Sequence, residues 1–376
     1  MKKRLGDIAT YVNGYAFKPS DRGTKGLPII RIQDLTGNSY DLGYYSGNYP
    51  EKIEINDGDI LISWSGSLGI YIWNRGKALL NQHIFKVVFD KGDVNKQYFV
   101  FAVQYKLQEM MDKTHGATMK HIVKKDFDNT LIPFPALETQ RKIANILSKV
   151  NVIISARKKQ IKMLDELIKA RFIEMFGDPV QNPLKWNTKS LLEMGYCKNG
   201  MNFHTGDSGI EMRCLGVGDF KDYAVIDGTD NLPMISLNEV PPKESMLQDG
   251  DIVFVRSNGN KALVGRCLVI YPHNTPTTYS GFCIRYRLTS GDLNTAYLVR
   301  VLKTDSMRKK MTGRGANIQN LNQQILATLD IPTPPIELQE QFAAFVAQID
   351  KSKVAVQKSL DKTQVLFDSL MQKYFG

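Results

Sequence analysis

The first features of this 376-residue chain are absences. No apolar run approaches the ~18 residues of a membrane-spanning helix, and the N-terminal sequence MKKRLGDIAT lacks the apolar core of a secretory signal. The four cysteines all lie in the second half without CxxC spacing, at Cys197, Cys214, Cys267 and Cys283. Scattered cysteines of this kind argue against a zinc site. The chain is therefore predicted to be cytoplasmic, with reduced thiols, no metal site and no contact with a membrane.

The motifs of several enzyme classes are also absent. A methyltransferase acting on an adenine amino group would carry Asn-Pro-Pro-Phe or Asp-Pro-Pro-Tyr, whereas here Asn182–Pro183 is followed by Leu184. No phosphate loop, GxGxxG or HExxH motif occurs, and no Asp/Glu set is paired with a lysine in a recognisable nuclease pattern. The five histidines are dispersed, at His83, His115, His121, His204 and His273. We predict that the chain is not itself a catalyst.

Proline and glycine are missing from one long stretch, and that stretch predicts a helix. After Pro135 neither residue occurs until Gly177. Apolar side chains recur there in alternating steps of four and three residues, with Arg157 and Arg171 in the two gaps, at Ile143, Leu147, Val150, Ile154, Ile161, Leu164, Ile168 and Met175. This is the heptad pattern of a coiled coil. A helix of about 37 residues would be ~55 Å long, which exceeds what one small domain needs.

The same stretch occurs a second time. A shift of 199 positions places Pro133 on Pro332 and Gln140 on Gln339, and the register continues without a gap to Gly376. The heptad positions of the second copy are Phe342, Val346, Ile349, Val356, Leu360, Phe367, Leu370 and Tyr374. The residues before each stretch also repeat in order, with an offset that grows from 186 to 199. We interpret the chain as an internal duplication.

Each copy begins with a segment of mixed secondary structure. In the first copy we predict a short amphipathic helix before an Asn13–Gly14 turn, and a half-buried strand over 27–35. An Asp-Gly turn leads into a strand in 56–66, two strands follow in 78–89, and a helix spans 95–113. Residues 211–220, 248–259 and 294–310 take the corresponding places in the second copy.

Four segments follow: a globule at 1–135, a long helix at 136–177, a globule at 178–335 and a long helix at 336–376. The second helix can pair with the first only by running back along it. The predicted fold class is α+β, with two α/β globules joined by two long helices in an antiparallel coiled coil and related by a pseudo-twofold internal repeat.

Basic residues are in excess. The formal net charge is +11 and the isoelectric point is near 9.2. The first long helix is the most basic segment, with Arg157, Lys158, Lys159 and Lys162 close together. Such a surplus suits a polyanionic partner, above all nucleic acid, although this run also fits a solvated helix face.

The order of these motifs resembles the specificity (S) subunits of type I restriction–modification systems. The marks are LGDIATYVNGYAFKPSD, NDGDILIS and QDGDIVFV, the helix entries IPFPALETQRKIANIL and IPTPPIELQEQFAAFV, and FIEMFGDPVQNP and KYFG after the helices. The resemblance covers the whole chain. It implies that 1–135 and 178–335 are target recognition domains, each reading half of a split sequence in double-stranded DNA, and that the helices are the spacer.

The resemblance also implies partners. Two methyltransferase (M) subunits would dock on the chain, and motor–nuclease (R) subunits would join the full complex. S-adenosylmethionine, ATP and Mg²⁺ would bind those partners, and no cofactor would bind this chain. Two other readings stay open: a coiled-coil scaffold for protein partners, and the specificity subunit of a methylation-only or type II system.

Base reading needs donors and acceptors on loops and helix ends, and phosphate contacts need basic or amide groups. The candidates in the first globule are Tyr15, Lys18, Arg31, Ser63, Trp64, Ser65, Asn81, Gln82, His83, Thr114, His115, Thr118, Lys120 and His121. Those in the second are His204, Arg213, Arg256, Ser257, Asn258, Asn260, Lys261, Tyr279, Ser280, Arg314, Asn317, Gln319 and Asn320. The loops 114–121 and 312–320 are the densest, because both are glycine-opened and rich in Thr, Asn, Gln and basic residues.

Several candidates also have a purely structural interpretation. Arg31 and Arg213 fit surface positions at strand edges. Trp64 fits a packing role and Tyr15 a core anchor. The sequence leaves both interpretations open for each.

Overall fold

The computed structural model describes residues 1–38, 41–113, 122–204, 206–220, 224–312 and 320–376. The chain divides into two compact units. Unit 1 comprises Met1–Lys159 together with Gln357–Gly376, and unit 2 comprises Gln160–Val356. Each unit therefore contains one globule and a part of each long helix.

Unit 1 is built on two four-stranded sheets and three short or medium helices. Its strands are β1 Lys2–Arg4, β2 Thr10–Asn13, β3 Leu27–Ile30, β4 Gly43–Tyr45, β5 Glu54–Ile55, β6 Ile60–Ser63, β7 Gly69–Ile72, β8 Ala78–Leu80, β9 Ile84–Val88 and β10 Leu131–Pro133. Its helices are α1 Ile32–Thr36, α2 Lys96–Lys113 and α3 Lys124–Asp128. One sheet has the order β2-β9-β6-β7 and the other β4-β3-β8-β5, while β1 pairs with β10. Apolar residues from both sheets form a shared core, including Ile30, Leu61, Leu79 and Ile84.

A 40-residue helix, α4 Leu137–Phe176, leaves this globule. In unit 2 the strands are β11 Thr188–Ser190, β12 Gly195–Asn199, β13 Ile210–Leu215, β14 Val225–Asp227, β15 Met234–Leu237, β16 Asp251–Val255, β17 Cys267–Tyr271, β18 Thr277–Tyr279, β19 Cys283–Leu288 and β20 Asp330–Pro332. The helices that follow are α5 Thr295–Lys303, α6 Asp305–Thr312, α7 Gln323–Ala327 and the 40-residue α8 Ile336–Phe375.

The sheets of unit 2 repeat those of unit 1. The order β12-β19-β16-β17 corresponds to β2-β9-β6-β7, with β14 added at one edge. The order β15-β13-β18 corresponds to β4-β3-β8, and both contain one parallel pair, β13–β18 and β3–β8. The predicted internal duplication is thus present in the strand order.

Both long helices are confirmed, and the lack of proline and glycine explains their length. Gly177 adopts a left-handed φ of 74° directly after α4, as a helix C-terminus favours. Of the predicted heptad residues in α4, the side chains of Ile143, Leu147, Val150, Ile154 and Ile168 are buried. Ile161, Leu164 and Met175 are only half-buried.

Within unit 2 the two helices run antiparallel. Lys353 of α8 forms an ion pair with Asp165 of α4 at 2.6 Å. Further along α4, Phe172 and Phe176 contact Phe342, with ring centroids 5.5 and 5.6 Å apart. Residue numbers therefore rise along one helix as they fall along the other.

In unit 1 a heptad interruption has a specific contact. The Arg157 guanidinium donates to the Ser359 carbonyl at 2.6 Å and to the Thr363 hydroxyl. Thr363 has the same place in the second copy as Leu164 has in the first. Two polar residues at heptad positions, one on each helix, are therefore in contact.

The last turn of each long helix buries phenylalanines that the heptad pattern did not predict. Phe176 contacts Tyr297 of α5 at 4.7 Å, and Phe375 contacts Tyr98 of α2 at 5.2 Å. Here each helix also packs against a globule, so its buried face is wider than the heptad stripe alone.

A buried glutamine joins each long helix to its globule. The Gln140 side chain accepts from the Asn95 amide (3.0 Å) and donates to the Pro135 carbonyl (2.9 Å). Gln339 repeats both contacts, accepting from the Asn294 amide (2.9 Å) and donating to the Pro334 carbonyl (2.8 Å). All partners are related by the same offset of 199 residues.

A buried tyrosine adds to each of these junctions. The hydroxyl groups of Tyr98 and Tyr297 donate to the carbonyls of Pro133 and Pro332, at 2.8 and 3.0 Å. Burial raises the pKa of Tyr98 to about 12 and raises the pKa of Tyr297 as well. Both hydroxyls therefore stay protonated as donors at neutral pH.

Truncating either glutamine should destabilise its own unit. Gln140→Ala and Gln339→Ala each leave buried hydrogen-bonding groups without partners, so each should lower the free energy of unfolding by about 1–3 kcal/mol. Gln357→Ala is the matched control, because Gln357 is exposed and bonds only to Asp361 on the same helix. The control should change stability by no more than about 0.5 kcal/mol in urea titrations. Equal losses for all three variants would contradict this role.

Four predictions about local structure were wrong. The strand expected over 27–35 ends at Ile30, and Ile32–Thr36 forms α1 instead, with the buried Asp34 carboxylate accepting from the Arg31 amide at its start. The amphipathic helix before Asn13 is instead a 3-10 turn at Leu5–Asp7 followed by β2, because Thr10–Asn13 pairs with β9. Asn13–Gly14 is not a turn but a close crossing, in which a side chain on Gly14 would meet the Asn81 carbonyl oxygen at 2.0 Å. The helix expected over 294–310 is broken between α5 and α6.

Other predictions are confirmed. Turns at Asp57–Gly58 and Asp249–Gly250 lead into β6 and β16, and both glycines have positive φ. The two strands expected in 78–89 are β8 and β9, although they belong to different sheets.

Candidate nucleic-acid interface

Backbone hydrogen bonds in unit 1 bring candidates from four distant segments to one surface. The Trp64 amide donates to the His83 carbonyl (3.2 Å), and the Ile122 amide donates to the Trp64 carbonyl (3.0 Å). The Gln82 amide donates to the Tyr15 carbonyl (2.9 Å). We call this surface tip 1 and define it by Tyr15, Trp64, Gln82, His83 and Ile122.

Unit 2 contains the same arrangement. The Arg256 amide donates to the Phe282 carbonyl (2.8 Å), and the Leu321 amide donates to the Arg256 carbonyl (2.8 Å). The Gly281 amide donates to the Met201 carbonyl (2.6 Å). We call this surface tip 2 and define it by Met201, Arg256, Gly281, Phe282 and Leu321. The backbone frame is common to both tips, while the side chains on it differ.

The aromatic candidates of tip 1 are partly packed. The Trp64 indole stacks on Phe85 at 5.6 Å, meets His83 edge-on at 4.9 Å, and donates to the Asn13 side chain at 3.3 Å. The Tyr15 side chain is 43% exposed. Trp64 is thus half-buried with one indole face occupied, whereas Tyr15 is available at the surface.

The small polar candidates of unit 1 differ in access. Ser63 is buried, and its hydroxyl donates to the Ser67 carbonyl at 2.6 Å. Ser65 is buried, Asn81 is half-buried and Lys18 is exposed. Lys18 has the freest access to solvent among these four.

Two of the candidate arginines are engaged in internal contacts. Arg31 precedes α1, and its guanidinium pairs with buried Asp34 at 3.1 Å and with Asp41 at 3.7 Å. Arg213 lies on β13 and donates to the Leu232 carbonyl at 2.7 Å. These contacts fit the structural interpretation of both residues. The same contacts would also hold the two arginine side chains in a fixed orientation.

Most of the accessible polar candidates of unit 2 are Arg256 of tip 2 and residues of the loop that follows it. Arg256 donates from its guanidinium to the Gly281 carbonyl at 3.3 Å, and Ser257 forms a β-bridge with Asn320. The Asn258 and Asn260 side chains accept from the amides of Asn260 and Ala262, at 2.8 and 3.1 Å, which organises that loop. His204 is exposed and follows Met201 of tip 2 by three residues in the sequence.

Tyr279 and Ser280 are placed differently. Tyr279 is fully buried in the core of unit 2, and its hydroxyl donates to the Lys198 carbonyl at 3.2 Å. Burial raises the pKa of this tyrosine. Ser280 is buried too, and its hydroxyl accepts from the Phe282 amide at 3.3 Å. Their enclosure favours a packing role over contact with a base.

The remaining candidates lie outside the described residues: Thr114, His115, Thr118, Lys120, His121, Arg314, Asn317, Gln319 and the side chain of Lys261. Ile122 is the first described residue after 114–121, and it belongs to tip 1. Asn320 is the first described residue after 313–319, and it lies at the margin of tip 2.

The basic run on α4 is mixed in its contacts. Arg157 is bound to α8, whereas Lys158 and Lys159 are exposed. The Lys162 side chain is 79% exposed and lies 3.9 Å from Glu166. Three cations therefore face solvent.

One exposed residue of tip 2 escaped the sequence analysis. Phe282 is 61% exposed although it is a large apolar side chain. It corresponds to His83 in the first copy by the offset of 199, and this correspondence was the available signal. The criteria for base and phosphate contacts require hydrogen-bonding or basic groups, which phenylalanine lacks.

In the described part of the chain, no three His, Cys, Asp or Glu side chains come together in a group that could hold a metal ion. No helix within the described ranges is both long and apolar enough to cross a membrane.

Comparison with known proteins links the chain to one family. The model of the type I restriction modification DNA specificity domain matches residues 1–163 and 220–364. The MjaVIII specificity subunit of Methanocaldococcus jannaschii is 24% identical over an alignment of 391 positions, which covers 96% of this chain and 89% of that protein. The EcoBI specificity subunit of Escherichia coli is 31% identical over 168 residues, which are 44% of this chain but only 35% of that protein.

A solved structure of a protein from this family has a similar fold. The S subunit of a type I restriction–modification system from M. genitalium matches with a TM-score of 0.56 and 15% identity, over 100% of this chain and 96% of that one. At this identity the likeness establishes the fold alone.

Proposed function

This chain belongs to the type I restriction modification DNA specificity family, and we propose that it selects an asymmetric DNA target in two parts, one for each unit. It is the specificity subunit of such a system. The proposal concerns how the subunit reads DNA and what its helices do.

The observation that carries the proposal is the shared frame of tips 1 and 2. Trp64 and Arg256 occupy equivalent backbone positions, and so do His83 and Phe282. An equivalent frame would present each tip to DNA in a similar way, while different side chains would meet different base edges. The two half-sites therefore differ in sequence, and the whole target is asymmetric.

The two long helices are the spacer in this proposal. Each is a continuous helix of 40 residues. The contacts of Lys353 with Asp165 in unit 2, and of Arg157 with Thr363 in unit 1, support an antiparallel coiled coil with a pseudo-twofold relation between the repeats. A paired rod of fixed length keeps the half-sites at a fixed separation.

The partners follow from the family. Specificity subunits of type I systems bind DNA together with methyltransferase subunits, and we propose that two such subunits dock here and that motor–nuclease subunits complete the assembly. S-adenosylmethionine, ATP and Mg²⁺ would bind those partners. The chain itself would supply recognition without catalysis, in the cytoplasm.

The decisive experiment is target selection from random DNA. The chain, assembled with its methyltransferase subunit, should enrich one split sequence with a constant gap, and methylation mapping in the source cells should find the same sequence. Enrichment of no sequence, with protein assembly intact, would favour the alternative of a scaffold for protein partners.

Binding to the selected target should fall steeply with salt. Neutralising phosphates releases counterions, so a protein with about six to ten phosphate contacts loses roughly 10³–10⁵-fold in affinity between about 50 and 200 mM salt. Fluorescence anisotropy across that range measures the slope. A flat response would contradict phosphate contacts by the basic residues.

A further inference from the structure

Phe282 is an exposed aromatic side chain on a rigid backbone. Its carbonyl accepts from the amides of Arg256 (2.8 Å) and Ser257 (3.3 Å), and its own amide donates to the Ser280 hydroxyl (3.3 Å). A Cβ on the preceding residue, Gly281, would lie 2.1 Å from the Asn202 side-chain oxygen, so the absence of a side chain there leaves room for Asn202. These hydrogen bonds fix the backbone position from which the exposed ring extends.

The neighbours of this ring are polar. The Arg256 guanidinium donates to the carbonyl of Gly281, the residue before Phe282, and Ser257 forms a β-bridge with Asn320. Phe282 thus has 61% of its surface exposed and is bonded through its carbonyl to two polar residues, Arg256 and Ser257.

The equivalent place in tip 1 explains why Phe282 stays uncovered. There the Trp64 indole packs against His83 at 4.9 Å and against Phe85 at 5.6 Å. In tip 2 Arg256 stands where Trp64 does, and its guanidinium bonds to a carbonyl instead. The exposed ring is therefore a difference between the two tips and not a common property of the frame.

We propose that Phe282 makes direct apolar contact with one base pair of the half-site read by unit 2. This rests on the function proposed above. Two groups of DNA offer an apolar surface to such a ring, the methyl group of thymine in the major groove and the face of a base at an opened step. Phe282 is thereby a specificity-determining residue, and Arg256 beside it would contact the DNA backbone or a base edge.

The test uses the chain assembled with its methyltransferase subunit and a duplex carrying the target selected by the wild-type complex. Phe282→Ala should weaken binding about tenfold or more, in line with the loss of one base–aromatic contact. It should also relax discrimination at one base pair of one half-site. Phe282→Tyr keeps the ring and should bind close to wild type. Val240→Ala is the matched control, since Val240 is 65% exposed in the same unit but is not part of tip 2.

Two modified duplexes identify the DNA group. If the ring meets a thymine methyl, uracil at that position should weaken wild-type binding and leave Phe282→Ala unaffected. If it meets a base face, 2-aminopurine at that position should gain fluorescence on binding the wild type and not on binding Phe282→Ala.

Several results would overturn the inference. Phe282→Ala could bind and discriminate like wild type, or it could weaken assembly with the methyltransferase subunit, which would make the ring a protein contact. Failure of the proposed function looks different, because the wild-type complex would then select no sequence at all. Thermal unfolding of each variant confirms that the surface substitution leaves the fold intact.

Discussion

Exchanging residues 1–135 for the corresponding segment of another family member should change one half of the DNA target and leave the other half unchanged. Tip 1 lies entirely within this segment, whereas tip 2 lies entirely within unit 2. A mismatched base pair costs about 1–3 kcal/mol, so a half-site with three changed pairs should lower affinity for the original target roughly 100-fold or more.

The exchange has a natural boundary. Strand β10 ends at Pro133 and pairs with β1, so both partners move together, and α4 begins at Leu137. The donor segment has to keep aromatic residues at Tyr98 and Phe101, because these pack on Phe375 and Phe367 of the retained helix. A donor segment without these two aromatic residues would lower the stability of the chimera and would not change its specificity.

Target selection with the chimeric complex measures the outcome. The matched control exchanges residues 178–335 instead and should alter only the other half-site. A chimera that changes both half-sites would show that recognition is not modular, and the two-part proposal would then be abandoned.

Removing seven residues from each long helix should shorten the gap between the half-sites. Residues 161–167 of α4 and 350–356 of α8 are suitable segments. They contain Asp165 and Lys353, which form an ion pair, so the double deletion removes both partners together. Seven helical residues span about 10 Å, close to the rise of about three base pairs of duplex DNA. The deletion also preserves the heptad phase, so the apolar faces stay matched.

The expected result is selection of both half-sites with a gap about three base pairs shorter, and loss of binding to the original spacing. The control deletes residues 161–167 alone. That variant cannot keep both the packing of Phe176 on Phe342 and the bonds from Arg157 to α8, so it should lose stability. An unchanged gap in the double deletion would mean that the helices do not determine the spacing.

The long helices and the duplication were predictable because their signals are local. A stretch of 41 residues without proline or glycine, 136–176, allows uninterrupted helical hydrogen bonds, and the heptad spacing marks its buried face. The offset of 199 then predicted the second helix, and it relates the hydrogen bonds of Gln140 to those of Gln339. Turn glycines such as Gly58 were predictable for the same reason.

Contacts between distant residues settled the remaining features. Strand pairing overrode the helical periodicity before Asn13, and a glycine that appeared to mark a turn is needed where two backbones cross. Docking of the helix ends on globules buried Phe176 and Phe375, outside the heptad stripe.

The candidate site shows the same division. Residue type alone selected Tyr279 and Arg256 together, but packing buries the first and leaves the second on tip 2. Packing also exposes Phe282, because an arginine stands where the other repeat has tryptophan. Exposure depends on which side chains meet across the fold, and that information is not contained in any one stretch of the chain.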